Sequence, residues 1–339
     1  MRIQRAWVWA GFLGASLILQ PIPAGSQGLT KVTVSYSAVD GSNLPLKIAE
    51  EAKLFEKYGL EATVVLIRGG SNTMKALLAG EAPTSFIGGT PVILARATGG
   101  DAKIVLGLSN ALLYQIVAAP SLQGKVTRVE DLRGKRVAIS TRGAESESVV
   151  RQVLRKYRVS PSEMTFLQIG ESGERLAALK AGTADVTPLP SPQHLRAVKG
   201  GYPVVMDVSK EQLEWIHTVV AMKESWVRRE PRVAEALAKT FVEASYYGWA
   251  NKAFTKKVLA KYIKSEDDEV LEQGYRDFLD HQARDFRPSP AGIQAAIEEL
   301  AEANPKVKDL KPAEVADSSL LDQLERSGFI AEMKRRYAR

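Results

Sequence analysis

Valines alternate with polar residues through 31–38 (KVTVSYSA), the period of a half-buried strand. Residues 45–58 then place Leu46, Ala49, Ala52, Leu54 and Phe55 at helical spacing, and Gly59 stops the run. A strand is expected at 61–67. The stretch 68–91, RGGSNTMKALLAGEAPTSFIGGTP, reads as strand end, glycine turn, helix (72–79), glycine stop, strand (84–87) and second glycine turn. Thr90 and Pro91 fit the cap and first position of a helix through Ala97. Strands follow at 103–108 and 114–119. Such β-α-β-α alternation implies a largely parallel sheet with helices on both faces.

About a hundred residues on, 170–192 (GESGERLAALKAGTADVTPLPSP) nearly repeats the glycine-rich stretch. Laying Ala79–Gly80 on Ala181–Gly182, a constant offset of 102 residues, also puts Ile67 on Ile169, Met74 on Leu176, Leu77 on Leu179 and Ile87 on Leu189. Two copies are too few for a stacked array, so the repeat predicts two similar α/β units facing each other. The second unit reads as a polar helical turn (128–132), strand (137–140), helix (145–157), strand (164–169), helix (174–181), strand (186–189), helix (193–199) and strand (204–208). A β-rich run at 216–221 precedes a helical tail from Glu224, broken at 265–268, 288–290 and 303–311. No low-complexity segment lies between the units, so two strand-like crossings should join them.

Composition narrows the setting. The chain has 339 residues, room for two or three domains, with 45% apolar and 25% charged residues, as in soluble globular proteins. Arg2 and Arg5 precede the apolar run 6–19 and the small residues 24–26. Fourteen helical residues reach only about 21 Å, short of a bilayer's roughly 30 Å core, so 1–26 reads as a secretory signal peptide; an uncleaved anchor is the alternative. There is no cysteine. That excludes disulfides, thiolate metal sites, a cysteine nucleophile and a lipid-modified N-terminal cysteine, and it favours a periplasmic location. The formal charge of +7 becomes +5 without Arg2 and Arg5, 44 basic residues against 39 acidic. The basic residues are scattered, so no nucleic-acid partner is expected. His194, His217 and His281 lack metal-ligand spacing, and no GxSxG elbow occurs. Neither a cofactor nor an enzymatic function is expected.

The opening VSYSAVDGSNLPLKIAEEAKLFEKYGLEATVV, the core GGSNTMKALLAGEAPTSFIGGTPVILARATGG, EDLRGKRVAI, LKAGTADVTPL and the tail SSLLDQLERSGFIAEM resemble, in that order and spacing, substrate-binding proteins of ABC importers in the nitrate/sulfonate/taurine-binding group. The resemblance covers most of 31–335. It implies a two-lobed periplasmic-binding-protein-like type II fold of α/β class, each lobe a mostly parallel sheet flanked by helices. Lobe 1 would comprise 27–117 plus 219–339, lobe 2 would comprise 118–218, and the ligand cleft would lie between them. It also implies a monomer serving an ABC permease in the inner membrane. Fungal thiamine-precursor synthases resemble the same group but carry a cysteine-rich run that this chain lacks.

Candidate ligand-binding residues follow from where open parallel sheets hold ligands, beyond the carboxyl ends of their strands. These junctions are Ser37 with the loop to Asn43, Gly69–Gly70–Ser71, Gly88–Gly89–Thr90, Ser140–Thr141–Arg142–Gly143 and Gly170–Glu171–Ser172. Free helix N–H groups there favour anions. Ser71 and Thr90 serve equally as plain helix caps, and the glycines as plain turns. Arg142 is the sharpest candidate: a guanidinium at a helix start can grip a carboxylate or sulfonate at two points, unless it pairs with Glu145 or Glu147. In the first role, Arg142→Ala should cost about 1.5–3 kcal/mol of binding. Arg68 is a second cation at a strand end. Asn110 and Tyr114 near the first crossing are candidate cleft residues, while Trp215 and His217 at the second read first as packed hinge residues. Pro188-Leu189-Pro190 stands where the twin has Phe86-Ile87-Gly88, which suggests a stiff apolar wall and a ligand with an apolar body and one acidic head. The expected function is capture of a small organic anion (sulfonate, nitrate or carboxylate type) by hinge closure and its delivery to the permease. A sensor module for a membrane receptor and a synthase or lyase offshoot are the alternatives.

Overall fold

The computed structural model describes residues 28–338 except 212. The expected signal peptide lies outside these residues. Among the described residues, ten strands form two five-stranded sheets: β1 (Thr30–Tyr36), β2 (Leu60–Leu66), β3 (Thr84–Gly88), β4 (Lys103–Ser109), β5 (Tyr114–Ala118), β6 (Arg136–Ile139), β7 (Thr165–Gln168), β8 (Val186–Pro190), β9 (Val204–Asp207) and β10 (Thr218–Met222). The first sheet has the order β2-β1-β3-β10-β4 and the second β7-β6-β8-β5-β9. In the first, β1 pairs parallel with β2 and β3, and β10 runs antiparallel between β3 and β4. In the second, β6 pairs parallel with β7 and β8, and β5 runs antiparallel between β8 and β9. Four strands of each sheet therefore share one direction, and the fifth is the strand that has just crossed from the other sheet.

The repeat is structural. Strands β3 and β8 start at 84 and 186, and the helices before them, Gly70–Ala79 and Ser172–Lys180, start at 70 and 172, each time 102 residues apart. The crossings are 110–113 and 208–217. Strand β5 belongs to the second sheet, so the first change of sheet comes before Tyr114 rather than at the expected 117/118. Hydrophobic spacing alone does not mark this point, because β4 and β5 are both buried apolar strands.

Two further local expectations shift. The helix expected over 45–58 is two helices, Leu44–Glu51 and Leu54–Lys57, separated by left-handed Lys53 (φ 53°). The turn rotates Leu54 and Phe55 into the core, where Phe55 meets Phe241 edge-on at 6.0 Å. The helices after β2 and β3 start at Gly70 and Gly89, so Ser71 and Thr90 lie inside the first turn and do not cap.

One apolar cluster packs β1, β2 and β4 against the helix Pro231–Ala250. A second runs from Leu77, Ile87 and Ile93 of the first unit to Val137, Val150 and Val153 of the second, with Trp215 and Ile216 between them. The helix Pro290–Ala303 closes onto this crossing, and Gly292 makes the approach possible: a Cβ there would lie 2.0 Å from the carbonyl oxygen of Trp215. Gly292→Ala should therefore cost about 3 kcal/mol, the upper end of the overpacking range, because the obstacle is backbone and cannot rotate away. An unchanged midpoint in urea unfolding would contradict the packing.

Candidate functional site: the cavity between the sheets

The carboxyl ends of β1, β3, β6 and β8 converge on a cleft between the two sheets, about 580 Å³ of space that is partly open to solvent. From the first sheet it is lined by Ser37, Asp40, Asn43, Gly70, Gly88 and Thr218, and from the second by Tyr114, Ser140, Glu145, Glu171 and Arg175, among others. The helices Gly70–Ala79, Gly89–Ala97, Glu145–Lys156 and Ser172–Lys180 all begin at or beside it. Four positive dipole ends thus face one space.

Among the described residues, Arg175 is the only arginine or lysine on this lining, and it is 4% exposed. Its Nε donates to Thr187 Oγ1 (2.9 Å), Nη1 to the Gly170 carbonyl (2.7 Å), and Nη2 to Ser172 Oγ (3.2 Å) and the Pro188 carbonyl (3.1 Å). None of these acceptors is a carboxylate. A guanidinium has five N–H donors; four are used, and the fifth, on Nη1, has no acceptor among the described residues. Burial pulls the Arg175 pKa below its ordinary value, yet an arginine stays charged under all working conditions. This is a desolvated cation held in place by neutral acceptors.

The acids around it are spoken for. Asp40 accepts from the Ser42 amide (2.9 Å) and hydroxyl and from Asn43 Nδ2 (3.4 Å), and burial raises its pKa. Glu171 accepts from the Val39 amide of the other sheet (3.4 Å) and is raised by burial. Glu145 accepts from Trp215 Nε1 and from Thr90 Oγ1 (3.3 Å), and burial pushes it up to about 8. At neutral pH Glu145 is therefore mostly the neutral acid. Burial, and then the charges of Asp40 and Glu145, raise the Tyr114 phenol well above 10, so it keeps its proton. His217, its ring edge-on to Tyr114 at 5.3 Å, is held neutral by burial, which drops it to about 4.

Of the residues expected from sequence, Ser37, Asn43, Gly70, Tyr114 and Glu171 line the cavity, and so does His217. Gly88, Ser140, Ser172 and Pro190 of the expected junctions and wall line it too, and the remaining candidates surround it without lining it. Thr90 is fully buried and hydrogen-bonds Glu145. Gly89 is required by packing: a Cβ there would come within 2.6 Å of Ile216. Ser71 Oγ donates to the Arg142 carbonyl, Thr141 packs against Gly69, and the Gly143 amide donates to Glu147 (2.8 Å). Leu189 is fully buried on the second sheet opposite Gln115. Asn110 bonds the Arg287 carbonyl and the Ser289 amide, both at 3.4 Å. Arg68 pairs with Glu174 across the gap between the units (2.9 Å). Trp215 is fully buried.

Arg142 is displaced from its expected role. Its guanidinium pairs with Glu147 (2.9 Å), donates to the Phe166 carbonyl (3.0 Å) and lies over the Phe166 ring (5.4 Å), away from the cavity. Glu147, in the first turn of the same helix, is the competing anion that the sequence allows. Arg142→Ala should leave ligand affinity unchanged in a calorimetric titration and cost at most about 1 kcal/mol of stability, since Arg142 is half exposed and the buried Glu147 keeps its pair with Arg151.

Sequence reading does not single out Asp40, Glu145 or Arg175. A signal for Arg175 is present: at the 102-residue offset it overlies Thr73, a fully buried residue of the twin helix. A charged residue standing where the twin buries a hydroxyl marks a cation carried into the interior.

Comparison with known proteins agrees with this architecture. The model of the NMT1-like family matches residues 25–264, more than two thirds of the chain. The periplasmic aliphatic sulphonate binding protein SsuA from Escherichia coli superposes with a TM-score of 0.67 at 19% identity over 87% of this chain and 99% of that one. The periplasmic nitrate-binding protein NrtA from Synechocystis PCC 6803 gives 0.69 at 15% identity over 90% and 91%. In sequence, the nitrate import ATP-binding protein NrtC of Synechocystis sp. PCC 6803 is 25% identical over 249 residues, 66% of this chain. The match spans only 36% of that relative's length. With the two-sheet fold, the cavity and the match across 25–264 together, the chain belongs to the NMT1-like family.

Proposed function

We propose that this protein is the solute-binding component of an ABC importer, that it captures a small organic acid between its lobes, and that it performs no chemistry on it. One observation carries the reading: Arg175, buried on the cavity lining at the meeting point of four helix N-termini, hydrogen-bonds no carboxylate and has one N–H without an acceptor. A carboxylate or sulfonate would give the guanidinium a directly hydrogen-bonded anion, which the nearby Asp40 and Glu171 do not.

The lobes, 28–109 with 218–338 and 114–207, are bridged by hydrogen bonds that opening of the cleft would break. The Gly41 amide donates to the Ser191 carbonyl (3.1 Å), Gln193 Nε2 to the Val39 carbonyl (2.5 Å) and Val39 to Glu171. A ligand touching both walls shifts the population toward this closed form only through such differential contacts. The closed form, exported to the periplasm as a monomer, is what the inner-membrane permease would receive. Sulfonate or nitrate binding in the similar proteins supports an anionic head.

Native mass spectrometry of the purified mature protein, compared with its denatured mass, tests this reading. The expected result is a mass excess that vanishes on denaturation and belongs to an organic acid. With an empty protein, a thermal-shift panel of organic acids should find one that stabilises it: at 100 times its dissociation constant it adds about 2.7 kcal/mol. A bound molecule without an acidic group, an adduct surviving denaturation, or a panel without any stabilising acid would overturn it.

A further inference from the structure

The cleft does not end at Arg175. A second cavity, about 450 Å³ of space that is partly open to solvent, lies beyond it, and the two share Ser42, Pro190 and His217 in their walls. Its lining changes character: Leu108, Leu113, Pro190, Gly274 and Phe278 supply an apolar surface under the helix Asp268–His281. The polar groups on this wall are turned to one another. Ser191 Oγ donates to Asp277, which also accepts from Gln273 Nε2 (2.8 Å), while Gln282 bonds Trp249 Nε1 (2.9 Å) and Ser245 Oγ (3.1 Å). The shared wall is itself undemanding, since Pro190 has no amide proton and His217 packs edge-on against Tyr114.

We infer that this second cavity receives the apolar body of the ligand whose acidic head meets Arg175, so that the substrate class is organic acids bearing an alkyl chain or ring rather than small inorganic anions. The occupant follows from continuity: three residues border both spaces, one space offers a buried cation, and the other offers apolar surface on which Ser191, Asp277 and Gln282 are already paired. An acid without a tail leaves that apolar surface unused. The inference rests on the acidic-head reading above.

The test is a calorimetric series of acetate, butyrate, hexanoate, benzoate and 3-phenylpropionate, with nitrate as the head-only control. Each buried methylene should raise the affinity of the wild-type protein by about fourfold until the chamber is full. Leu113 is the side chain to change, because it is only partly buried and its hydrogen bond to Ser191 is made by its backbone carbonyl. Leu113→Trp should remove the gain for hexanoate and 3-phenylpropionate, roughly tenfold or more, with acetate unaffected. Leu113→Ala should move the optimum toward longer chains, an opposite shift that mere destabilisation cannot produce. Affinity that is flat with tail length, or a Leu113→Trp series parallel to wild type, overturns the inference while the head reading stands, provided Arg175→Met weakens binding about tenfold or more. Acids that bind Arg175→Met as well as wild type overturn the head reading. If none of the acids binds, both fall.

Discussion

Replacing Arg175 with methionine is expected to weaken an organic-acid ligand by roughly 10- to 150-fold, the value of one charge-assisted hydrogen bond of about 1.5–3 kcal/mol. The stability of the empty protein should move far less. Removing a buried cation relieves its desolvation cost, and Thr187 keeps its bond to the Ala138 carbonyl (2.9 Å), although the carbonyls of Gly170 and Pro188 lose a donor. Arg175→Lys should recover only part of the affinity, because an ammonium cannot hold four acceptors and present a further N–H in one plane. Calorimetric titration reads the affinities, and thermal unfolding with and without acid separates binding from stability. Equal affinities for wild type and Arg175→Met would remove the site as drawn here.

The second large effect is on pH dependence. Burial raises Glu145 to about 8 and Glu299 to about 7, from ordinary values of 4.5. Between 4.5 and those values the folded state holds protons that the unfolded state has lost, so these two groups make stability fall as pH rises through that window and level off above about 8. His217 acts in the opposite sense lower down: held near 4, it costs stability as pH drops below 6.5. The comparison that isolates the acids is Glu145→Gln with Glu299→Gln against wild type. Glutamine keeps an acceptor for Trp215 and a partner for Thr90. The double variant should match wild type near pH 4.5 and exceed it increasingly up to pH 8, by about 5 °C or more in Tm. Because Glu145 lines the cavity, its ionisation above pH 8 should also weaken an acidic ligand in wild type and not in Glu145→Gln. Parallel Tm curves from pH 5 to 9 would mean that neither acid is held neutral.

Much of the fold is legible in the order of residues because it is written in local physics. Alternation at 31–38, helical spacing at 193–199 and the glycine stops at 59, 80 and 182 each depend on neighbours within a turn or a strand. The 102-residue repeat is enough to indicate two like units, and the two sheets share one strand topology. Chain-wide order and spacing are enough to indicate the two-lobed α/β fold.

What a side chain faces is a different matter. Local pattern puts Arg142 and Arg175 on equal terms, each near the opening turn of a second-unit helix, and the glycine and threonine beside Arg142 make it the more attractive of the two. Tertiary structure separates them: Phe166 and Glu147 take Arg142, while the carbonyls of Gly170 and Pro188 draw Arg175 inward. Gly89 reads in sequence as a turn or ligand glycine, and it is Ile216, remote along the chain, that forbids a side chain there. Local pattern determines that an element exists and which residues it can bury. Which buried charge is left without a partner is set by groups from distant segments competing for it, and only their assembly in space decides that.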